Sequence, residues 1–174
     1  IKEEKKLVSI NSRKDLEDEC LSKRKVCFIA LLNGRMDSLD SYNYALRELN
    51  DLVQTTKEKP YTFLHLNATC HDEFLNEFNI NVDSLPNALI YVPIKDKYTQ
   101  LIGTFDRENI SDYINGVIHG KYGMQTVTKD QFKFLEKNCS LIKDDIIVSE
   151  DDDDIMKEMM EEIYSIIMIV FLHA

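Results

Sequence analysis

Val26 to Leu32 (Val-Cys-Phe-Ile-Ala-Leu-Leu) is an unbroken apolar run. Its length and its β-branched and aromatic content predict a central strand buried on both faces. Asn33 to Ser38 follows as a polar loop. Beyond it, Leu39, Tyr42, Leu46, Leu49 and Val53 recur at spacings of three and four, which predicts a long amphipathic helix. Pro60 is expected to break that helix. Tyr61 to Leu66 reads as the next buried strand, and Thr69 is expected to cap a short helix bearing Phe74, Leu75 and Phe78. Ala88 to Val92 and Tyr98 to Ile102 read as strands. Gly103 ends the second, Asp106 caps a helix with Ile110, Ile114 and Val117 inward, and Gly120 stops it. At the front of the chain, Lys6 to Ile10 reads as a short strand. Asn11 and Ser12 can cap a helix running to Cys20, with Leu16 on its buried side.

The order is therefore β-α-β-α-β-α-β-β-α over residues 6–119. Alternating strands and helices call for a parallel sheet with right-handed crossovers. The last two strands are joined by a short turn at Lys95 and Asp96 and must be antiparallel. The expected fold class is α/β: a mixed five-stranded sheet flanked by helices on both faces, matching the thioredoxin fold. We assign residues 1–120 to this domain. Residues 121–143 form an extension read as partly ordered, open between a short helix on the sheet and a linker. Residues 144–174 form an acidic, then apolar, tail, disordered or helical.

Charge sharpens that division. The chain has 174 residues and a net charge of −10. Ten acidic residues and one basic residue lie in 144–174, which leaves residues 1–143 at −1. No basic stripe exists, so a nucleic-acid partner has no electrostatic support and none is expected. The tail ends in Ile163-Tyr-Ser-Ile-Ile-Met-Ile-Val-Phe-Leu172. As a helix these residues reach about 15 Å, half of a ~30 Å bilayer core, so the run is not expected to span a membrane as it stands. A truncated anchor, an apolar extension of a 155–162 helix and a non-native read-through all stay open. The chain starts at Ile1 with neither Met nor signal peptide and is read as a fragment or processed form.

Leu85-Pro86 lies directly before the fourth strand, after Phe78-Asn-Ile-Asn-Val82. Thioredoxin-like proteins carry a cis-proline at that place, and the resemblance implies the same here, with Leu85 and Pro86 as peptide-contact residues. More widely, the sequence resembles the third, inactive thioredoxin-like domain of protein disulfide isomerases built as two catalytic domains, one non-catalytic domain and an acidic tail. Cys20-Leu-Ser-Lys-Arg-Lys-Val-Cys27 resembles that domain's paired cysteines. Tyr42-Asn-Tyr-Ala-Leu-Arg-Glu-Leu resembles its following helix, and Gly103-Thr-Phe105 its glycine-to-phenylalanine turn. The resemblance covers residues 5–155. The chain departs from it at the end, where no retention tetrapeptide of the Lys-Asp-Glu-Leu kind stands.

The chemistry is defined first by what is missing. Thioredoxin catalysis needs two cysteines two residues apart at the start of the helix after the central strand, where the helix terminus favours the thiolate. Here that loop reads Asn33, Gly34, Arg35, Met36, and no Cys-x-x-Cys occurs in the chain. We therefore expect no catalytic residues. Cys20 and Cys27 are a candidate structural disulfide, closing an eight-residue loop worth roughly 2.5 kcal/mol; two buried thiols and a non-standard catalytic pair are the alternatives. Cys70 is expected in the first turn of the third helix, as an inert thiol or a stabilised thiolate. Cys139 is expected to be exposed and available for crosslinking.

The histidines (His65, His71, His119, His173) are scattered, so no metal and no cofactor are expected. Asp151 to Asp154 lacks the ligand spacing of a calcium loop, which leaves only weak calcium association by charge density. Sequons stand at Asn67, Asn109 and Asn138, compatible with a secretory location. Ser149, before an acidic run, resembles an acidophilic kinase site.

The resemblance implies a domain of the endoplasmic reticulum lumen that binds client polypeptides or other chaperones during oxidative folding. The alternatives are a thiol-disulfide oxidoreductase with a non-standard pair, such as Cys20 and Cys27 or a lone Cys70, and a cytosolic phosducin-like adaptor.

Overall fold

The structure is a computed structural model that describes residues 5–135, 137, 139 and 150–172, with the side chains of 150–158 left out. Asn138, Ser149 and His173, and the side chains of Asp151 to Asp154, lie outside the described residues. The chain divides into two compact units, Ile1–Cys139 and Ser140–Ala174.

The first unit is built on one sheet. Its strands are β1 (Val8–Ser9), β2 (Val26–Leu32), β3 (Tyr61–Asn67), β4 (Asn87–Val92), β5 (Lys97–Gln100) and β6 (Gln125–Thr126), in the spatial order β1-β3-β2-β4-β5-β6. β1, β3 and β2 run parallel. β4, β5 and β6 each run antiparallel to the strand before them in the sheet. The helices are α1 (Arg13–Leu16), α2 (Leu39–Thr55), α3 (Asp72–Glu77) and α4 (Arg107–Ile118).

β2 sits at the centre and is buried along its length from Cys27. Successive side chains point to opposite faces. Cys27, Ile29 and Leu31 join a core with Leu16, Cys20, Leu64, Leu66, Phe74, Leu89 and Tyr91. Phe28, Ala30 and Leu32 face the other way, with Phe28 against Phe63 and Phe105 at ring-centroid distances of 5.7 and 6.2 Å. α2 and α4 pack against each other. α2 buries Tyr42, Ala45, Leu49, Leu52 and Val53, so the inward stripe runs slightly off the one read from spacing, and Leu46 is only half buried.

Several boundaries differ from the sequence reading for local reasons. α2 stops before Pro60 is reached, with Thr56 as its C-cap, whose N–H and hydroxyl both donate to the Leu52 carbonyl, at 3.0 and 2.6 Å. After α1 the chain winds into a π-helical turn, Glu17–Leu21, which carries Cys20. Thr69 does not cap α3, which starts three residues later with His71 at its N-cap. Asp106 does cap α4, its carboxylate accepting the Asn109 N–H at 2.8 Å.

The sheet has a sixth strand because the segment after α4 returns to it. β6 pairs with β5 through Lys97–Thr126 and Tyr98–Gln125. Beyond it, Val127 and Phe132 are buried. Phe132 lies 6.1 Å from Phe74, 5.5 Å from Phe78 and 5.0 Å from Tyr91, and Phe134 lies 5.5 Å from Phe74. Residues 127–135 thus form a strap over α3 and the sheet, with Lys137 and Cys139 beyond it. The second unit contains α5 (Glu150–Leu172), whose Ile163 to Leu172 are exposed, although Ser165 and Tyr164 interrupt the aliphatic side chains. Among the described residues no helix is long and apolar enough to cross a membrane.

Phe74 is the hub of the strap's aromatic contacts and is fully buried. Phe74→Ala is expected to cost about 3–5 kcal/mol in urea unfolding, the range for a large aromatic removed from a packed core.

Candidate functional site

β2 and β3 end side by side, with Leu32 opposite Asn67. β4 begins beside the end of β2, with Asn87 opposite Leu31. This register carries the Asn33–Ser38 loop and the Leu85–Pro86 turn to one end of the sheet. The Leu85–Pro86 peptide is cis. The turn before it is set by Asn81, whose side chain accepts the Asp83 N–H at 2.9 Å while the Ser84 hydroxyl donates to the Asn81 carbonyl at 2.7 Å. Leu85 and Pro86 are half buried.

Asn67 organises the other side of this end. Its Oδ1 accepts the Thr69 hydroxyl at 2.7 Å and the Cys70 N–H at 3.4 Å. Thr69 Oγ1 in turn accepts the Gly34 N–H at 3.1 Å. Gly34 lies against the Asn67 side chain so closely that a Cβ added to it would stand 2.2 Å from Oδ1. Asn67 is 1% exposed, and its Nδ2 has no hydrogen-bond partner among the described residues. Asn33 shapes the loop by accepting the Arg35 N–H on its own Oδ1 at 3.0 Å. Arg35 and Met36 then project outward, Met36 being 69% exposed.

No sulfur reaches this end from the loop. Cys20 and Cys27 are joined as a disulfide, with Cα atoms 5.9 Å apart and both side chains fully buried, fastening the turn after α1 to β2. Cys70 and Cys139 are joined as a second disulfide, also with Cα atoms 5.9 Å apart. This corrects two expectations. Cys139 is 1% exposed and bonded, because the strap carries it back to the domain. Cys70 precedes α3 and is held by Asn67.

Around the second disulfide lies a charged cluster that the sequence reading did not identify. His71 is fully buried, with Nδ1 3.4 Å from Glu73 Oε1 and 4.0 Å from Cys139 Sγ, and with the Phe134 ring edge-on at 5.1 Å. Burial pushes the His71 imidazole below its ordinary pKa, partly opposed by Glu73. Burial would raise the Glu73 carboxyl, but the Leu135 N–H, at 2.9 Å, and the Lys137 ammonium overcome it and hold it low. Lys137 Nζ bridges Asp72 and Glu73 at 2.8 and 2.9 Å and donates to the Cys70 carbonyl at 3.1 Å.

Other sequence candidates lie apart or are occupied. The Asn109 amide donates to the Ile102 and Thr104 carbonyls at 3.0 and 2.8 Å, and the Asn67 amide is buried, so neither sequon presents a free side chain in the folded domain. Among the described residues no three His, Cys, Asp or Glu side chains gather as a metal site. A cavity of about 200 Å³ lined by Lys5, Lys23, Lys25, Tyr61 and Phe63 lies at the opposite end of the sheet, where β2 and β3 begin.

A three-strand parallel core extended by antiparallel strands, with a cis-proline before β4, defines the thioredoxin-like class. Solved structures agree on the fold. The chain superposes on chloroplastic thioredoxin z with a TM-score of 0.53 at 15% identity, covering 66% of this chain and 96% of that one. For the Trx4 domain of ERdj5 the values are 0.51 and 13%, with 67% and 98% covered. For human ERp44 they are 0.50 and 17%, with 66% and 30% covered. Residues 1–122 match the family model described as PDIA6-like, C-terminal thioredoxin-like domain, and the chain belongs to that family. A protein disulfide-isomerase homologue of Dictyostelium discoideum is 23% identical over 115 residues, which are 66% of this chain and 27% of that protein's length.

Gly34→Ala is expected to destabilise the domain by about 1–3 kcal/mol, the cost of forcing a side chain into filled space. Because the clash is with Asn67, Gly34→Ala combined with Asn67→Ala should cost less than the two single changes added, read from denaturant unfolding of all four proteins.

His71 gives a pH prediction. Its folded pKa is depressed, so the unfolded chain binds the proton more readily and stability rises with pH. The contribution is complete above the ordinary value of 6.5 and is lost as pH falls toward the folded value. Unfolding midpoints measured downward from pH 7.5 should fall more steeply just below pH 6.5 for the wild type than for His71→Gln.

Proposed function

We propose that this domain is a non-catalytic binding module of a protein disulfide isomerase. It holds client polypeptides or partner chaperones during oxidative folding in the endoplasmic reticulum lumen. The observation that carries this reading is the loop–proline end of the sheet. Its geometry is kept by Asn67, Thr69, Gly34 and Asn81, while the positions of the reactive pair are taken by Asn33 to Met36. An end that stays shaped without its sulfurs is suited to contact rather than thiol chemistry. The exposed Met36 offers a soft apolar surface that adapts to varied side chains. The backbone beside Pro86 offers a short edge to an extended chain.

Membership of the PDIA6-like family favours this reading over a phosducin-like adaptor. Complete burial of Cys20 and Cys27 speaks against their use as a non-standard catalytic pair.

An insulin-reduction assay on the full chain should stay at background. In a titration with a reduced, carboxymethylated polypeptide, amide shifts should concentrate on residues 33–36 and 85–87, and Met36→Asp should weaken binding severalfold. Turnover of insulin, or shifts confined to another face, contradicts the reading.

A further inference from the structure

The two disulfides share a bond type and differ in surroundings. Cys20 and Cys27 are both sealed in the core. Cys70 is part-exposed, while its partner Cys139 is 1% exposed and lies 4.0 Å from the Nδ1 of buried His71. Exchange requires a thiolate to reach one sulfur while the other departs with the electron pair, and departure is faster when the leaving thiolate is stabilised. The Cys70–Cys139 pair answers to both conditions better than the sealed Cys20–Cys27 pair: one of its residues is part-exposed, and the other's sulfur lies 4.0 Å from an imidazole nitrogen. The His71 Nε2 has no hydrogen-bond partner among the described residues, and Glu73 Oε1 accepts from Nδ1, which fits the tautomer with its proton on Nδ1.

We propose that Cys70–Cys139 is a thiol-exchange site for a dithiol, opened by attack at Cys70 Sγ with His71 stabilising the departing Cys139 thiolate, and that its opening releases the 127–135 strap. The first thiolate of the dithiol bonds to Cys70 Sγ. The Cys70–Cys139 bond breaks, and its electron pair leaves on Cys139 Sγ, 4.0 Å from His71 Nδ1, whose N–H is drawn from Glu73 Oε1 toward the new thiolate. The second thiol of the reagent then attacks the mixed disulfide. The reagent leaves oxidised, and Cys70 and Cys139 end as thiols after taking up two protons. Two electrons pass from the dithiol to the cystine, so the chain acts here as acceptor and needs no Cys-x-x-Cys of its own.

The strap is the segment this bond controls. Among its described residues regular backbone structure is confined to a single 3-10 turn at Lys129–Gln131, with β6 just before it. Side chains supply further hold: Phe132 and Phe134 on α3, Arg13 donating to the Phe132 carbonyl, Glu73 accepting the Leu135 N–H, Lys133 on Glu77, Lys137 on Asp72 and Glu73, and the disulfide. Release would uncover Phe74, Phe78 and Tyr91, an aromatic face. The proposal is independent of peptide contact at the loop–proline end, because it is read from sulfur labelling rather than from binding.

The test uses the oxidised full chain at pH 7, treated briefly with limiting dithiothreitol, quenched with iodoacetamide and mapped by peptide mass spectrometry. Cys70 and Cys139 should be alkylated about tenfold faster than Cys20 and Cys27. Trypsin cleavage at Lys129 and Lys133 should accelerate in step with that labelling. His71→Gln should slow the reduction while trypsin protection of the oxidised protein stays as in the wild type. If both cystines open at one rate, or if the strap stays protected after Cys70 and Cys139 are reduced, the proposal is overturned. A wild-type reduction rate in folded His71→Gln removes His71 from the step. Should that variant not fold, the two wild-type measurements still decide the exchange site and the strap.

Discussion

Val26–Leu32 has no face that water can solvate, and the rest of the first unit is arranged to cover it. β3 and β4 satisfy its backbone on either side. The turn after α1, together with α3 and the strap, closes over Cys27, Ile29 and Leu31, while the opposite face meets Phe63 and Phe105. The same strand determines where chemistry can stand. At its far end, among the described residues, two parallel strands finish beside the start of an antiparallel one, and the Asn33–Ser38 loop leaves there for α2. The position of Cys27 within it also decides that the first disulfide is a fastening of the core.

That tight exit explains the polar network at the end of the sheet. A chain leaving Leu32 passes directly beside Asn67, and only a residue without a side chain fits there, which is the place of Gly34. Asn67 then serves three neighbours through one oxygen and one contact surface: the Thr69 hydroxyl, the Cys70 N–H and the Gly34 backbone. Buried polar groups cost stability unless they are paired; the turn pairs the Asn67 Oδ1, while Nδ2 has no partner among the described residues. The loop keeps its shape through neutral hydrogen bonds, with no ionised sulfur or helix-terminus charge involved.

The fold was readable from the chain wherever burial imposes a period. β2, β3 and β4 are near-continuous apolar runs, α2 and α4 carry stripes, and Asp106, Gly103 and Gly120 punctuate the last helix as their chemistry requires. The family match and the superpositions bear out the thioredoxin-like class. What escaped the pattern was structure held by single side-chain contacts, local or distant, that leave no period. α2 ends at Thr55, with Thr56 as its C-cap and no breaker beside it. The same limit hides the use of Asn67, whose partners Thr69 and Gly34 are polar or small residues with no periodic mark. Cys70 and Cys139 are 69 positions apart, and nothing near either names the other. Val127, Phe132 and Phe134 were visible as apolar residues, but their spacing fits neither a helix nor a strand.

The strap shows why that last failure is physical. A segment can be ordered without ladder hydrogen bonds if a few large side chains enter a core already built. Phe132 does this, touching Phe74, Phe78 and Tyr91 from outside the regular elements. Exposed ion pairs such as Lys133 with Glu77 add little by themselves. Lys137 is better placed, because Glu73 is only 10% exposed and also accepts the Leu135 N–H, so one carboxylate ties Leu135 and Lys137 to α3. These anchors lie on a short stretch of chain and share α3 as their base, so they are coupled: loosening one raises the entropy of the segment that the others must hold. Order in the strap is therefore collective, and the covalent bond at its end biases the whole set.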